Sequence, residues 1–80
     1  METEGVFQTS DMYLASFLRA KGFTILKVHR DGRKAIFDFE DTEERDKAVM
    51  DYYNEESLIS ALRFVNSFHA IKSLIYETVG

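Results

Sequence analysis

Residues 23–40 read FTILKVHRDGRKAIFDFE, and this stretch decides the fold. Two runs rich in aromatic and β-branched residues, 23–30 and 33–40, flank the dipeptide Asp31-Gly32. An Asp-Gly pair between such runs is a strong signal for a two-residue type I′ turn, because both central residues need positive φ. The stretch therefore predicts an antiparallel β-hairpin with Asp31-Gly32 as its loop.

This loop sets the expected register and the face that each side chain occupies. Residues that pair directly share a face of the sheet, so the apolar pairs predict the core face. The opposite face would carry Phe23, Ile25 and Ile36 among charged side chains. Because a lone hairpin is marginal in water, the strands must pack on helices or pair with another chain. The predicted core-face pairs are Arg30–Arg33, Val28–Ala35, Leu26–Phe37 and Thr24–Phe39.

An amphipathic helix is expected on each side of the hairpin. The first spans about 10–21, with Ser10 as its cap and Gly22 as the left-handed residue that ends it. Asp41 and Glu44 have the spacing of a capping box and begin the second, which Asn54 ends.

A third helix is predicted from a cap at Ser57 to about residue 78. Its apolar residues cover roughly half of its circumference, which exceeds the ~100° stripe of an ordinary surface helix. The predicted order is α-β-β-α-α, an α+β fold with one antiparallel hairpin packed on helices. A single domain is expected over 9–80, after a flexible N-terminal segment at 1–8.

Composition limits the functions to consider. The 80 residues are 45% apolar, which is typical of a chain that folds. No cysteine is present, so disulfides, thiol catalysis and cysteine-ligated metals are excluded. The acidic N-terminus does not resemble a signal peptide, and no apolar run approaches ~20 residues. The expectation is a cytoplasmic protein with no membrane contact.

No catalytic, metal or cofactor-binding residue is predicted. His29 and His69 lie far apart in the sequence and lack the spacing of metal ligands. The serines lack the motif of a nucleophile and its base, and the glycines do not form a phosphate-binding loop. The densest acidic group is interpreted as a solvated rim with a helix cap rather than a Mg²⁺ site. That group contains Asp38, Glu40, Asp41 and Glu44.

Charge is unevenly distributed around a net value of −4. Residues 19–34 contain six basic side chains against one acid, a net +5, whereas residues 38–56 carry a net −7. A basic hairpin can contact nucleic acid in a groove, or can merely protect an edge strand from unwanted pairing. The second interpretation is favoured, and nucleic-acid binding is kept as the alternative function. Its candidate residues are Lys27, Arg30, Arg33 and Lys34.

Excess apolar surface favours a protein partner. The apolar surface on the second face of the hairpin and on the wide stripe of the last helix is larger than three short helices can easily cover. We expect a symmetric homodimer through one or both of these surfaces, with core packing in a monomer as the competing explanation. Tyrosines are also favoured at interfaces, and a cluster beside the hairpin is expected. The candidate interface residues are Tyr13, Phe23, Ile25, Ile36, Tyr52 and Tyr53.

Three motifs carry a resemblance to a known family. Residues 9–23 read TSDMYLASFLRAKGF, and FEDT at 39–42 and DYYN at 51–54 follow. Over about 9–76 the chain resembles a small bacterial family of uncharacterised domains, found partly in phage- or prophage-associated genes. Members often have Gly after the Asn, where Glu55 stands here, which concerns the turn rather than the fold. The resemblance implies no activity, cofactor or catalytic residue.

The sequence thus predicts a small, non-enzymatic protein-interaction module, homodimeric and of unknown biological role.

Overall fold

The computed structural model describes residues 5–79 and confirms the α+β fold. A three-stranded antiparallel sheet carries helices on one face, in the order β-α-β-β-α-α. The strands are β1 (Val6–Thr9), β2 (Ile25–Asp31) and β3 (Lys34–Glu40). The helices are α1 (Met12–Ala20), α2 (Glu43–Tyr53) and α3 (Ala61–Val79).

Strand β1 corrects the expectation of a flexible segment over residues 1–8. Residues 6–8 pair with β3 in an antiparallel ladder that runs from Val6↔Glu40 to Thr9↔Phe37, whereas residues 1–4 lie outside the described part of the chain. The sheet order is β1-β3-β2, so β1 and β2 are parallel to each other and α1 connects them across the sheet. Four residues are too few for an alternating pattern to be recognised in the sequence.

One arginine fastens this strand to the rest of the molecule. The Arg45 side chain is 4% exposed, and its guanidinium carbon lies 3.9 Å from the ring centre of Phe7. Its Nη2 donates to Asp41 at 2.7 Å and also to Asp46, and its Nε donates to the Glu40 carbonyl at 3.2 Å. The cation therefore joins β1, the end of β3 and the first turn of α2.

The predicted hairpin forms, but its register differs by two residues. Asp31 pairs with Lys34, so the loop is Gly32-Arg33. Gly32 has φ +64° and Arg33 does not have positive φ, as in a type II′ turn with Gly first. The predicted type I′ turn would need positive φ at both Asp31 and Gly32. The turn that forms needs positive φ at one residue only, and Gly32 supplies it.

The bulge, and not the two-residue change of register, alters which residues face the helices, because a shift of two residues keeps each side chain on its face. Val28 pairs with Phe37 and Ile25 pairs with Phe39, with a bulge between Ile25 and Lys27. Leu26, expected in the core, lies at this bulge and is 50% exposed. Phe23 and Ile25 were expected on the face opposite the core, and this placement was wrong, because both pack against the core. Their assignment to an interface stays a prediction. Beyond a bulge, the side chains of the strand lie on the opposite faces from those expected by simple alternation. No pattern in the sequence predicts this bulge.

The core lies between the sheet and α1. Phe37 and Phe39 of the central strand are fully buried against Leu14 and Leu18. Ile71 of α3 and Ala48 of α2 close the same cluster from the sides. Since α1 is covered by neighbours along almost its whole length, it is the central helix of the domain.

The helix ends follow the predicted chemistry with shifts of one to three residues. Asp11 rather than Ser10 caps α1, and Thr42 rather than Asp41 caps α2. Helix α3 begins after Ser60 rather than Ser57, since the Ser60 hydroxyl accepts from the Arg63 amide. Ile59 and Phe64 both pack on the core with the spacing of a hydrophobic staple, which favours this later start.

Gly22 ends α1 as predicted, and the end of α2 differs. Gly22 has φ +107°, and the Phe23 amide donates to the Leu18 carbonyl in a Schellman motif. In α2 the left-handed residue is Glu55, with φ +60°, and not Asn54. The Glu55 and Glu56 amides donate to Tyr52 and Asp51, which is the same motif without a glycine.

Candidate functional site

Helix α3 has two apolar faces, and only one of them is used by the fold. Ile71 and Ser67 are buried, and the Ser67 hydroxyl accepts from Arg19 Nη1 at 3.1 Å. The other face carries exposed apolar side chains at alternating spacings of four and three residues, the period of a helix-pairing seam. We name this face the α3 strip. It consists of Leu62, Val65 and Tyr76, with His69 and Lys72 at the intervening seam positions, together with the exposed Leu58, which lies in the segment just before the helix begins.

The exposure of the α3 strip is large for apolar residues. Leu58 is 92% exposed, Leu62 69% and Tyr76 70%. These side chains contribute little to the core, so the wide apolar arc expected for the last helix divides into a buried half and an exposed half. The periodicity was visible in the sequence, but only packing decides which half remains outside.

The first candidate interface tyrosine extends this strip. Tyr13 of α1 stacks on Phe68 of α3, with ring centres 5.5 Å apart and planes 6° apart. Phe68 lies one helical turn from Val65 and stacks in turn on Phe64 at 6.4 Å. Because Tyr13 remains 59% exposed, the apolar surface continues from α3 onto α1.

The other two candidate interface tyrosines, Tyr52 and Tyr53, lie side by side on α2. Tyr52 is half-buried against Phe17, with ring centres 5.1 Å apart, and meets Tyr53 edge-on at 5.3 Å. Burial raises the pKa of Tyr52 above its ordinary value, with further contributions from Asp11, Tyr53 and Tyr13. Tyr53 and Met50 remain mostly exposed beside it.

The face of the sheet that carries no helix has a polar cluster at its centre. Asp38 lies on the central strand and is 8% exposed. Its Oδ1 accepts from Gln8 Nε2 at 3.0 Å and lies 3.3 Å from His29 Nε2. Ile36, a candidate interface residue, is half-buried on the same face, next to a shallow depression that His29 also lines. His29 and Asp38 therefore have a structural role, as polar partners on the neighbouring strands β2 and β3.

The candidate nucleic-acid residues do not form one group. Arg30, Arg33 and Lys34 line a depression between the hairpin tip and the helices. Lys27 lines neither this depression nor the adjoining one, and it pairs with Asp38 on the face of the sheet that carries no helix. Lys72 of α3 lines the adjoining depression and was not predicted, because a lone lysine on a helix gives no signal of what lies across from it.

Within residues 5–79, no group of three or more His, Cys, Asp or Glu side chains has the arrangement of a metal site. None of the helices in this range is both long enough and apolar enough to cross a membrane.

Together these features define a small α+β domain with an exposed apolar helix face, a polar sheet face and a basic depression. The chain belongs to the family described as Domain of unknown function (DUF5659), whose model matches residues 4–77. No curated protein matches the sequence. No solved structure matches it either.

Proposed function

We propose that this protein is a non-enzymatic protein-interaction module of the cytoplasm that associates with a second copy of itself through the α3 strip. The observation that carries the proposal is the exposure of Leu62, Val65 and Tyr76 at seam spacing on a helix whose other face is already packed, next to the exposed Leu58. Exposed apolar patches rimmed by polar residues are typical of interaction sites.

The strip can supply the required free energy. Full burial of a Leu or Val side chain stabilises by about 1.5–3 kcal/mol, and a two-fold axis uses each residue twice. A standard interface buries about 800 Å² on each partner, roughly one seventh of the 5410 Å² surface of the described chain. The helical part of the strip, Leu62 to Tyr76, spans about 21 Å, and Leu58, Tyr13 and Phe68 extend it, which offers a surface on this scale.

Charge selects an antiparallel pairing. In a parallel pair, Lys72 of one copy would lie beside Lys72 of the other, and like charges at facing positions are destabilising. In an antiparallel pair the apolar half of the strip, Leu58 to Val65, can pack against the same half of the second copy. The lysines then lie at opposite ends of the interface.

Sedimentation equilibrium tests the proposal. We expect the wild-type chain to dimerise, and Leu62→Glu to be monomeric at the same concentrations. The matched control is Asn66→Glu, which adds the same charge on the polar side of α3 and should remain dimeric. Because Leu62 is 69% exposed, the folded monomer should lose no more than about 0.5 kcal/mol. A 9.3 kDa wild-type species at all concentrations, or an unaffected L62E dimer, contradicts the proposal.

Nucleic-acid binding through the hairpin is the alternative function, and it has weaker support. Three of its four candidate cations line one depression, but Lys27 does not. Salt-dependent anisotropy changes with labelled duplex and single-stranded oligonucleotides would favour it.

A further inference from the structure

Two adjoining depressions between the hairpin tip and α3 form a continuous groove. The first has a volume of about 290 Å³ and the second about 200 Å³, and they share Met12 and Ile75. We name them together the basic groove. It is lined by Ser10, Met12, Arg30, Arg33, Lys34, Ala35, Lys72, Ile75 and Tyr76.

The walls of the basic groove are positive and carry no carboxylate. Arg30, Arg33 and Lys34 stand on the hairpin side, and Lys72 stands on the helix side. None of the four takes part in the ion pairs found between described residues, which use His29, Arg45 and Lys47. A concave surface with one sign of charge concentrates ligands of the opposite sign.

The floor of the groove is apolar. Met12 and Ile75 lie at its centre and are only partly buried, and both pack against the core below. The flexible thioether of methionine adapts to irregular partners, and the adjacent Tyr76 ring is 70% exposed. A ligand that fits both features carries acidic groups around an apolar side chain.

We propose that the basic groove binds an acidic peptide segment of a partner protein. Its carboxylates face Arg30, Arg33 and Lys34, and one apolar side chain rests on Met12 and Ile75. Single-stranded nucleic acid fits less well, because successive bases need a series of aromatic platforms and Tyr76 is the one aromatic side chain among the lining residues. The basic groove shares Lys72 and Tyr76 with the α3 strip but contains none of Leu58, Leu62 and Val65. Since those three residues form the contact in the antiparallel pair, the groove stays open whether or not the chain dimerises.

The test is fluorescence anisotropy with a labelled peptide of alternating Glu and Leu. We expect saturable binding that weakens as salt increases, because exposed charges are screened within about 10 Å at 0.1 M salt. Lys34→Glu should weaken binding about five- to tenfold, as expected when an exposed attractive pair becomes repulsive. The matched control Lys27→Glu makes the same charge change at a hairpin lysine that lines neither depression, and it should alter affinity less than twofold.

Further measurements identify the class of ligand and show whether peptide binding is independent of dimerisation. A peptide with Gln in place of Glu, or Ser in place of Leu, should bind at least fivefold more weakly. The L62E variant should bind the original peptide with unchanged affinity. Arg33→Gln serves as a second groove variant if K34E does not fold. Equal losses in K34E and K27E, no binding of the peptide, or tighter binding of an oligothymidine of equal charge would each overturn the proposal.

Discussion

Glu55 is the residue whose replacement tests the structural reasoning most directly. It ends α2 with φ +60°, the single non-glycine residue with positive φ among residues 5–79. A left-handed conformation costs an L-residue about 1–2 kcal/mol, because Cβ approaches the carbonyl oxygen. Glycine avoids this cost but loses about 0.5–1 kcal/mol through the greater freedom of its unfolded chain. We therefore expect Glu55→Gly to stabilise the domain by about 0.5–1 kcal/mol.

Thermal unfolding followed by circular dichroism measures the effect. For a domain of this size, 1 kcal/mol corresponds to about 4–8 °C in Tm, so E55G should melt about 2–8 °C higher. Urea titration should give the same increase in the free energy of unfolding with an unchanged m value.

Two controls separate the backbone effect from the effect of charge. Glu55→Ala removes the same negative charge from the C-terminal end of α2 but keeps Cβ, so it should gain no more than the small dipole contribution. Glu56→Gly places glycine where φ is not positive and should destabilise by about 0.5 kcal/mol. If E55G melts no higher than E55A, the left-handed strain at Glu55 does not exist and the reasoning is wrong.

Two further predictions concern Arg45 and Tyr52. Arg45→Ala should lower the free energy of unfolding, measured in urea, by about 3 kcal/mol, because it removes a buried cation that joins β1, β3 and α2. The control Arg63→Ala, at an exposed position, should change that free energy by less than about 0.5 kcal/mol. The pKa of Tyr52 is raised in the folded state from an ordinary value of about 10, so above that pH the unfolded chain loses its proton first. Stability from this group is fully present below pH 10 and declines as the pH rises through the folded value. Tyr52→Phe should therefore reduce that alkaline loss of stability in pH-dependent urea titrations.

Local patterns in the sequence were sufficient to predict most of the elements. The Gly22 stop of α1, the strands β2 and β3 and the three helices depend on the chemistry of a few neighbouring residues, which any tertiary context preserves. The candidate site was predicted only in part. Arg30, Arg33 and Lys34 do line one depression, but the sequence could not place Lys72 and Tyr76 across from them, since forty residues separate the hairpin from the end of α3.

The sequence by itself determined the composition of the domain: one hairpin, three amphipathic helices, and a last helix with more apolar surface than one face needs. The tertiary structure alone decided the pairing of β1 with β3, the bulge at Leu26 and the two-residue change of register. It also decided which half of the α3 surface stays outside. Periodicity and caps report interactions within a turn of the chain, whereas register and exposure depend on which distant side chains share the core, and that is settled only when the elements pack.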